Sequence, residues 1–299
     1  MPTLKKIIKI CLLTPQLILI KVFFLIEKVY ELLFPNNISR LGRDAFLKNI
    51  DDDFKIIHHK NTSMSFYTPN EVCLFRANTF SIKEPEMLEW IEEFGGEGAF
   101  FDIGANIGIY SIYFAKVKEG NVYSFEPSVF NLRQLAKNIS INDLSSQIKI
   151  VTNPLSNKTS LNSFIHSDIS EGGALNAFGV NYGYDGSTIN NLVEYTLLGF
   201  SLDEMFSNGI LKEVPSMIKI DVDGIEHLIL EGAKNLLTNN QVKSIYIEVN
   251  ENFSEQSEQI YNILNSSGFT LREKRRSEFL SKSASEDFMN MNNQIWIRN

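Results

Sequence analysis

Two acids and a glycine turn lie close together in this sequence, in an order that could bind a nucleoside cofactor. The apolar run 99–103 carries Asp102 near its end, and the turn Gly104–Gly108 follows directly. A helical stretch then leads to a second apolar run, 121–125, which ends at Glu126. In a strand–turn–helix–strand unit of this kind, the glycines let the backbone approach the nucleoside, and the acid at the tip of the second strand binds the ribose diol.

The acid before the turn and the number of glycines distinguish between two cofactor classes. A dinucleotide fold uses G-x-G-x-x-G and holds the pyrophosphate at a helix N-terminus. This turn has two glycines instead of three, and Asp102 would repel a pyrophosphate. The same carboxylate would suit the ammonium group of S-adenosylmethionine (SAM), so we predict SAM rather than NAD. The alternative is a strand-to-helix turn that binds no cofactor. The presence of both Asp102 and Glu126 disfavours this alternative.

Three sequence blocks carry a family resemblance. D-I-G-A-N-I-G (102–108), F-E-P-S (125–128) and I-K-I-D-V-D-G-I-E-H-L-I-L-E-G-A (218–233) resemble the FkbM-type methyltransferases, and the resemblance runs from about Phe75 to the C-terminus. It implies an α/β, Rossmann-like SAM methyltransferase fold, with a mainly parallel seven-stranded sheet and helices on both faces. It also implies methyl transfer to a hydroxyl of a glycan or small-molecule acceptor.

The expected SAM site follows the carboxyl ends of the first three strands of this sheet. Residues after the third strand, 148–152, should border the adenine. The predicted cofactor-binding residues are Asp102, Gly104, Ala105, Asn106, Gly108, Glu126, Pro127, Ser128 and Asn153.

The fourth strand, 217–222, should supply the catalytic groups. Lys219, Asp221 and Asp223 alternate with apolar residues, so they share one face and must either line a cleft or bond each other. Asp221 is the first candidate for the general base, with Lys219 also assigned to the catalytic site. His227 is the second candidate, although its place within a helix predicted at 225–237 can turn it away from the cleft. Ile225 stands where relatives often carry an imidazole, which leaves the base open.

A magnesium site is an alternative for the same edge of the sheet. Catechol O-methyltransferase holds magnesium with acids after its fourth and fifth strands, and Asp221, Glu248 and Asn250 are similarly placed oxygen ligands. The competing interpretation is that Glu248, on the strand 244–249, pairs with Lys219. We therefore treat Mg²⁺ as an open option.

Composition limits the class of partner. The net charge of −8 and the sequence pI of about 5.2 argue against a nucleic-acid groove, which requires clustered Lys and Arg. The only cysteines, Cys11 and Cys73, form neither a disulfide framework nor a metal motif and fit a reducing compartment. We expect a cytoplasmic protein, or one at the inner face of the membrane.

The N-terminal segment 1–34 should form a hydrophobic helix. Lys9 and Lys21 interrupt its apolar run, and from residue 16 onward the charges fall at 21, 27, 28 and 31, roughly in one helical stripe. Such a helix can lie at a membrane surface, pack on the protein or a second subunit, or span a membrane. The predicted organisation is this helix with a linker (1–53), a small β-meander (54–83) and the methyltransferase domain (84–299).

Two further segments could contact the acceptor. The Gly-, Ser- and Tyr-rich stretch 156–200 is predicted to be a long binding loop, in which Tyr182 and Tyr184 could stack on a sugar or aromatic acceptor. A terminal antiparallel strand pair encloses a charged turn with Arg275, Arg276 and Lys282. Two rival functions stay open: methylation of a lipid-linked or polyketide-type hydroxyl at a membrane, and a non-catalytic SAM-binding assembly module.

Overall fold

The computed structural model describes residues 2–33, 38–96, 98–118, 120–276 and 291–298, and the chain divides into two compact units, 1–53 and 54–299. The first unit contains helices α1 (Pro2–Leu33) and α2 (Ile38–Asp51). The predicted linker is therefore wrong over 38–51: α2 packs the Phe46 ring 4.9 Å from the Phe23 ring of α1, which stabilises it as a helix. Residues 34–37 lie outside the described part.

A seven-stranded sheet forms the centre of the second unit and confirms the predicted fold class. Its strand order is β11-β12-β10-β9-β3-β4-β5, and β12 alone runs antiparallel to its neighbours. The strands are β3 (Ala99–Ile103), β4 (Val122–Phe125), β5 (Ile148–Val151), β9 (Pro215–Ile220), β10 (Ser244–Asn250), β11 (Phe269–Arg275) and β12 (Met291–Arg298).

Helices cover both faces of this sheet because alternate strand residues supply apolar groups to each side. Phe100 joins one buried cluster with Phe114, whereas the adjacent Phe101 joins the cluster on the opposite face with Ile218. The helices are α3 (Glu71–Lys83), α4 (Pro85–Phe94), α5 (Ile109–Lys118), α6 (Val129–Ile141), α7 (Leu202–Ser207), α8 (Glu226–Glu231), α9 (Lys234–Leu237) and α10 (Ser254–Ser266). The single helix predicted at 225–237 is two short helices, α8 and α9. They separate where the Gly232 backbone approaches Ser156 so closely that a Cβ would lie 2.2 Å from the Ser156 carbonyl oxygen.

The predicted β-meander is wrong in its second half. A hairpin, β1 (Phe54–His59) and β2 (Thr62–Tyr67), is followed by α3 instead of further strands. The Asn70 side chain caps this helix by accepting the Cys73 N–H at 2.8 Å, and Cys73, Ala77 and Phe80 bury one face at helical spacing. The sequence 72–76 is therefore helical, and the turn at 69–70 leads into a helix.

The predicted long loop 156–200 contains a second, three-stranded antiparallel sheet. Its strands are β6 (Ser160–His166), β7 (Asn176–Phe178) and β8 (Val193–Gly199), in the order β7-β6-β8. β8 pairs antiparallel with β6 along its full length. Phe164 of β6 and Phe178 of β7 are buried, and this apolar contribution explains why the segment folds as a sheet.

Strand order reverses between β3 and β9, which makes the carboxyl ends of these strands the ligand-binding edge. From β3 the chain proceeds outward through β4 and β5, and it then returns to place β9 and β10 on the other side of β3. In open parallel sheets such a reversal leaves a crevice outside the strand ends.

Candidate active site

A cavity of about 340 Å³ lies at this reversal point. It brings together residues from four strand ends that are distant in sequence, as predicted for a cleft at this edge. The predicted site residues among its lining are Gly104, Ala105, Asn106, Glu126, Pro127, Lys219, Asp221 and Glu248.

The glycines of the turn are required by the packing of the protein itself. Gly104 has a φ of +81°, and a Cβ there would lie 1.8 Å from the Asp221 carbonyl oxygen. Gly108 has a φ of +85°, and its Cβ would lie 2.4 Å from Leu135 Cδ1. Close approach of a ligand was the predicted reason for both glycines, but contact with the end of β9 and with α6 is already sufficient.

Glu126 is held at the tip of β4 with its carboxylate in the cavity. Its Oε2 accepts the Asn106 N–H at 2.7 Å, and its Oε1 accepts the Ser128 N–H at 2.9 Å. Burial raises its pKa to about 7, although these backbone hydrogen bonds act in the opposite direction. The turn and the acid, which were predicted to act together, are therefore directly bonded.

Asp102 departs from its predicted role. It is fully buried, does not line the cavity, accepts a hydrogen bond from Ser111 Oγ at 2.6 Å and lies 3.1 Å from Lys219 Nζ. An ammonium group thus does face this carboxylate, but the protein supplies it.

Lys219 is the centre of a buried charge network behind the glycine turn. Its Nζ donates to the Gly104 carbonyl at 2.9 Å and lies 3.5 Å from Asp221 Oδ2. Burial opposes its charge, but Asp102 and Asp221 together raise its pKa. The alternative pairing of Lys219 with Glu248 is not present, so Lys219 connects the turn to Asp221 and has a structural role in addition to any catalytic one.

Three carboxylates line the cavity at the ends of β9 and β10. Asp221 has a side chain 36% exposed, and Asp223 accepts the Leu175 N–H at 2.7 Å. Burial and then the charge of Asp221 raise the pKa of Asp223 to about 6 and the pKa of Glu248 well above its usual range. Among the described residues, Glu248 has neither a hydrogen-bond nor an ion-pair partner.

Several predicted residues lie outside this cavity. His227 is 8% exposed in α8 and does not line the cavity, so it is not placed to act as a base there. Asn250 donates to the Tyr184 carbonyl at 3.1 Å. Gly108 and Ser128 support the turn and Glu126 from behind.

Asn153 lines a smaller neighbouring cavity of about 40 Å³, at the carboxyl end of β5. This apolar slot shares Gly104, Pro127 and Val222 with the main cavity. Asn153 itself donates to the Leu198 carbonyl at 2.9 Å, so its side chain already fastens the turn after β5 to β8.

The predicted magnesium ligands do not form a metal centre. Within the described part of the chain, no group of three or more His, Cys, Asp or Glu side chains is arranged to hold a metal ion. Asn250 is excluded from the cavity lining, and this leaves Asp221 and Glu248 from the predicted set. The metal hypothesis therefore gains no support.

Sequence reasoning missed one wall of the cavity, which α3 and its neighbours supply. Glu84 follows α3 and accepts hydrogen bonds from Tyr110 Oη at 2.5 Å and from Lys83 Nζ at 2.7 Å. The β-meander predicted over 54–83, with a strand at 72–76, leaves these groups out of the site. The Asn70 cap and the helical spacing of Cys73, Ala77 and Phe80 are the signals in the sequence that could have indicated the helix. The residues of this wall are Arg76, Thr79, Phe80, Lys83, Glu84 and Tyr110.

The segments predicted to touch the acceptor are only partly at the cavity. Tyr184 lines it, whereas Tyr182 packs its ring 5.7 Å from the Phe253 ring. Arg275 pairs with Glu89 and Glu273. Lys282 and most of the charged turn lie outside the described residues.

Comparison with known proteins identifies one family model. The model described as "Methyltransferase FkbM domain" matches residues 102–271. No curated protein matches the chain.

Three solved structures illustrate the similarity in fold. The methyltransferase FkbM from Methylobacillus flagellatus KT is 17% identical with a TM-score of 0.43, and the match covers 66% of this chain and 43% of that one. The precorrin-6y C5,15-methyltransferase from Geobacter metallireducens GS-15 is 10% identical over 72% and 87%, with a TM-score of 0.42. TYW2 from M. jannaschii, in complex with AdoMet, is 13% identical over 82% and 87%, with a TM-score of 0.41. The chain thus spans less than half the length of the first of these proteins.

Proposed function

This chain belongs to the methyltransferase FkbM domain family, and we propose that it transfers the methyl group of SAM to a hydroxyl of a glycan or small-molecule acceptor. The observation that carries the cofactor assignment is the position of Glu126, a cavity-lining carboxylate directly bonded to the glycine turn. A carboxylate at the tip of the second strand is the group that binds a ribose diol in such units.

The residues present fit SAM better than a dinucleotide. Five acids line the cavity against three basic residues, and a cationic ligand would offset the raised pKa of Glu126, Asp223 and Glu248, whereas a pyrophosphate would raise it further. Glu126 would hold the ribose hydroxyls, and the apolar slot beside Asn153 would border the adenine. When bound, SAM would supply a methyl group activated by its positive sulfonium. The five acids are Glu84, Glu126, Asp221, Asp223 and Glu248.

Calorimetry with SAM and with NAD tests this assignment directly. We expect SAM to bind with one site per chain and NAD to give no measurable heat. Binding of NAD without binding of SAM would contradict the proposal.

The raised pKa of Glu126 predicts a pH-dependent affinity for SAM. An ionised carboxylate accepts hydrogen bonds from both ribose hydroxyls, and a carboxyl with a pKa of about 7 ionises as the pH rises through that value. The dissociation constant should therefore fall between pH 6 and pH 8, by up to about tenfold per unit below the pKa. Calorimetry at several pH values measures this.

The matched control is Glu126→Gln, which should weaken binding at pH 8 and remove the dependence on this group. An unchanged pH dependence of SAM binding in that variant would mean that another group is responsible.

The pH dependence of stability has the opposite sign to that of SAM affinity. The folded protein retains the Glu126 proton up to a higher pH than the unfolded chain does, so the contribution of Glu126 to the free energy of unfolding falls as the pH rises from about 4.5 to about 7.

Asp221 is the proposed general base for the acceptor hydroxyl. It stands at the end of β9, on the opposite side of β3 from Glu126, and its Oδ2 lies 3.5 Å from Lys219 Nζ. The acceptor would then be held between Asp221, Glu248 and the α3 wall, with the oxygen in line for displacement. A carboxylate in this position would accept the proton of the acceptor hydroxyl, whose oxygen takes the methyl group while the sulfur departs as a neutral thioether.

Replacing Asp221 with Asn should lower turnover by at least about 100-fold, the loss typical of a missing general base. The dissociation constant for SAM should change less than threefold, about 0.7 kcal/mol. Transfer of label from methyl-tritiated SAM to glycan and lipid extracts of cells lacking the protein measures turnover. A larger loss in Glu248→Gln would move the role of base to Glu248, and unchanged turnover in both variants would contradict the mechanism.

The acceptor class separates the rival functions. Mass spectrometry of cell-surface glycans and extracted lipids, with and without the protein, should show one methylated species, heavier by one CH₂ group. A methylated lipid-linked hydroxyl would support the membrane alternative, and SAM binding without any methylated product would support the non-catalytic module. Methylation of nucleic acid in the same cells would contradict the expected acceptor class.

A further inference from the structure

Over residues 14–33, helix α1 turns two acids toward α2 and most of its apolar side chains outward. On α1, Phe23, Glu27 and Glu31 follow one another at single-turn spacing, and each is less exposed than its neighbours. Arg43 of α2 reaches both acids: its Nε lies 3.6 Å from Glu27 Oε2, and its Nη2 lies 3.6 Å from Glu31 Oε1. Gly42 permits this approach, since a Cβ there would lie 2.7 Å from Glu27 Oε1. The inner seam of the pair therefore combines the Phe23–Phe46 ring contact with an ion-pair network.

Over residues 14–33, the outward surface of α1 is mostly apolar. Residues 17–19 are consecutive, so they point about 100° apart and cover most of the circumference that does not face α2. A contiguous exposed apolar surface of this kind marks an interaction site. Six of the exposed side chains, with their exposed fractions, are Leu17 (54%), Ile18 (54%), Leu19 (69%), Leu25 (63%), Ile26 (53%) and Leu33 (66%).

This reversal of polarity matches a hydrocarbon environment better than water. In lipid, charged side chains turn toward a neighbouring helix and pair, while apolar side chains face outward. In water the order is the opposite, with the apolar stripe inside. No helix in the described residues is long and apolar enough to cross a membrane.

The charge of this unit complements an anionic surface, although the chain as a whole is acidic. Residues 1–53 contain eight Lys and Arg and six Asp and Glu, a net charge of +2, whereas the whole chain carries −8. The second unit therefore carries −10. Lys21, Lys28 and Lys48 are exposed, so their ammonium groups are available to phosphate headgroups, while Glu27 and Glu31 are occupied by Arg43.

We propose that the first unit docks this protein on an anionic lipid surface. The outward Leu, Ile and Phe side chains of α1 would enter the acyl region, and the exposed lysines would contact the headgroup phosphates. This inference concerns where the protein sits and does not rest on its proposed reaction.

Flotation of the full chain with vesicles tests the proposal. We expect binding to vesicles of phosphatidylcholine and phosphatidylglycerol (3:1) to be at least about tenfold stronger than to phosphatidylcholine alone, because a basic residue near an anionic surface contributes about 1 kcal/mol. The double substitution Leu19→Glu/Leu25→Glu should abolish binding to both. Its matched control is Leu161→Glu/Leu192→Glu, which places the same two charges at leucines of the second unit that are 70% and 55% exposed and should change nothing.

A second variant, Lys21→Gln/Lys28→Gln, separates the electrostatic part from the apolar part. It should bind both kinds of vesicle about equally. If it still preferred the anionic vesicles, the proposed contact between these lysines and the headgroup phosphates would be wrong. All four positions are exposed, so circular dichroism should show native helix content in each variant.

Light scattering without lipid distinguishes a second copy of the chain as the occupant. If the wild type fails to bind either vesicle, or if Leu19→Glu/Leu25→Glu binds as well as the wild type, the proposal is wrong. A dimer that this substitution dissociates, in a protein that ignores vesicles, would assign the apolar surface to self-association. SAM titrations of the same samples test the proposed function independently of the docking proposal. Vesicle binding without SAM binding would contradict the proposed function and leave the docking proposal intact.

Discussion

Replacing Lys219 with Met should lower the free energy of unfolding by about 3–5 kcal/mol, since removal of one partner leaves a buried charge uncompensated. The charge left behind is Asp102, which is fully buried and which, within the part of the chain that the structure describes, pairs only with Lys219, 3.1 Å away. Met has a similar length and no charge, so the loss should arise from electrostatics more than from packing. Urea denaturation followed by circular dichroism measures it.

The loss should extend beyond the ion pair. Lys219 Nζ also donates to the Gly104 carbonyl and lies beside Asp221, so it fixes the glycine turn against the end of β9. We therefore expect the variant to bind SAM more weakly even under conditions in which it remains folded.

The matched control is Lys274→Met, which breaks the surface pair with Glu251. Both side chains of that pair are about 40% exposed, so the expected loss is below about 1 kcal/mol. A second control, Asp102→Asn combined with Lys219→Met, removes both buried charges and should recover part of the stability. Equal losses for the two lysine variants would show that the buried network contributes no more than a surface pair.

Gly104→Ala is the second large effect, with an expected loss of about 2–5 kcal/mol. A left-handed backbone costs a non-glycine residue about 1–2 kcal/mol, and forcing extra volume into a packed region costs about 1–3 kcal/mol more. The obstructing atom is the Asp221 carbonyl oxygen, 1.8 Å from the new Cβ, and it belongs to the backbone, so it cannot rotate away. The turn and the end of β9 must separate, which should also abolish SAM binding measured by calorimetry.

Gly209→Ala separates the two contributions. Gly209 also has a positive φ, +69°, but no atom lies within 4 Å of its added Cβ. This variant should show only the backbone cost of about 1–2 kcal/mol and bind SAM normally. If both glycine variants lose the same stability and both retain SAM binding, the close approach of the turn to Asp221 is not important for the site.

The elements with the strongest local signals were predictable from the sequence. The run 99–103 is strand β3 with the predicted limits, and Glu126 stands at the tip of β4 as expected. Buried parallel strands read as continuous apolar runs, and a glycine turn followed by a helical pattern has few alternative structures. The family resemblance on the three blocks is confirmed by a family model covering 102–271.

The errors arose where local patterns were ambiguous. Residues 71–83 contain aromatic and β-branched residues that suit a strand, but capping by Asn70 and burial of Cys73 and Phe80 make them a helix. Residues 156–200 are rich in turn formers, yet their few aromatic side chains pack as a small sheet. In both segments tertiary burial overrode propensity, and the α3 wall of the cavity was missed as a result.

The amino-acid sequence alone determined which chemical groups are present at the ligand-binding edge. It also determined the order in which the strands and the acids at their carboxyl ends follow one another along the chain. Only the tertiary structure decided how those groups share their charges: Lys219 neutralises Asp102 and contacts Asp221, whereas Glu248 lacks a partner among the described residues. The physical reason is that strand spacing and side-chain direction determine which charges meet. A difference of a few ångströms in depth decides whether a carboxylate pairs with another group of the protein or faces a ligand. The spacing of residues along the sequence does not specify that depth.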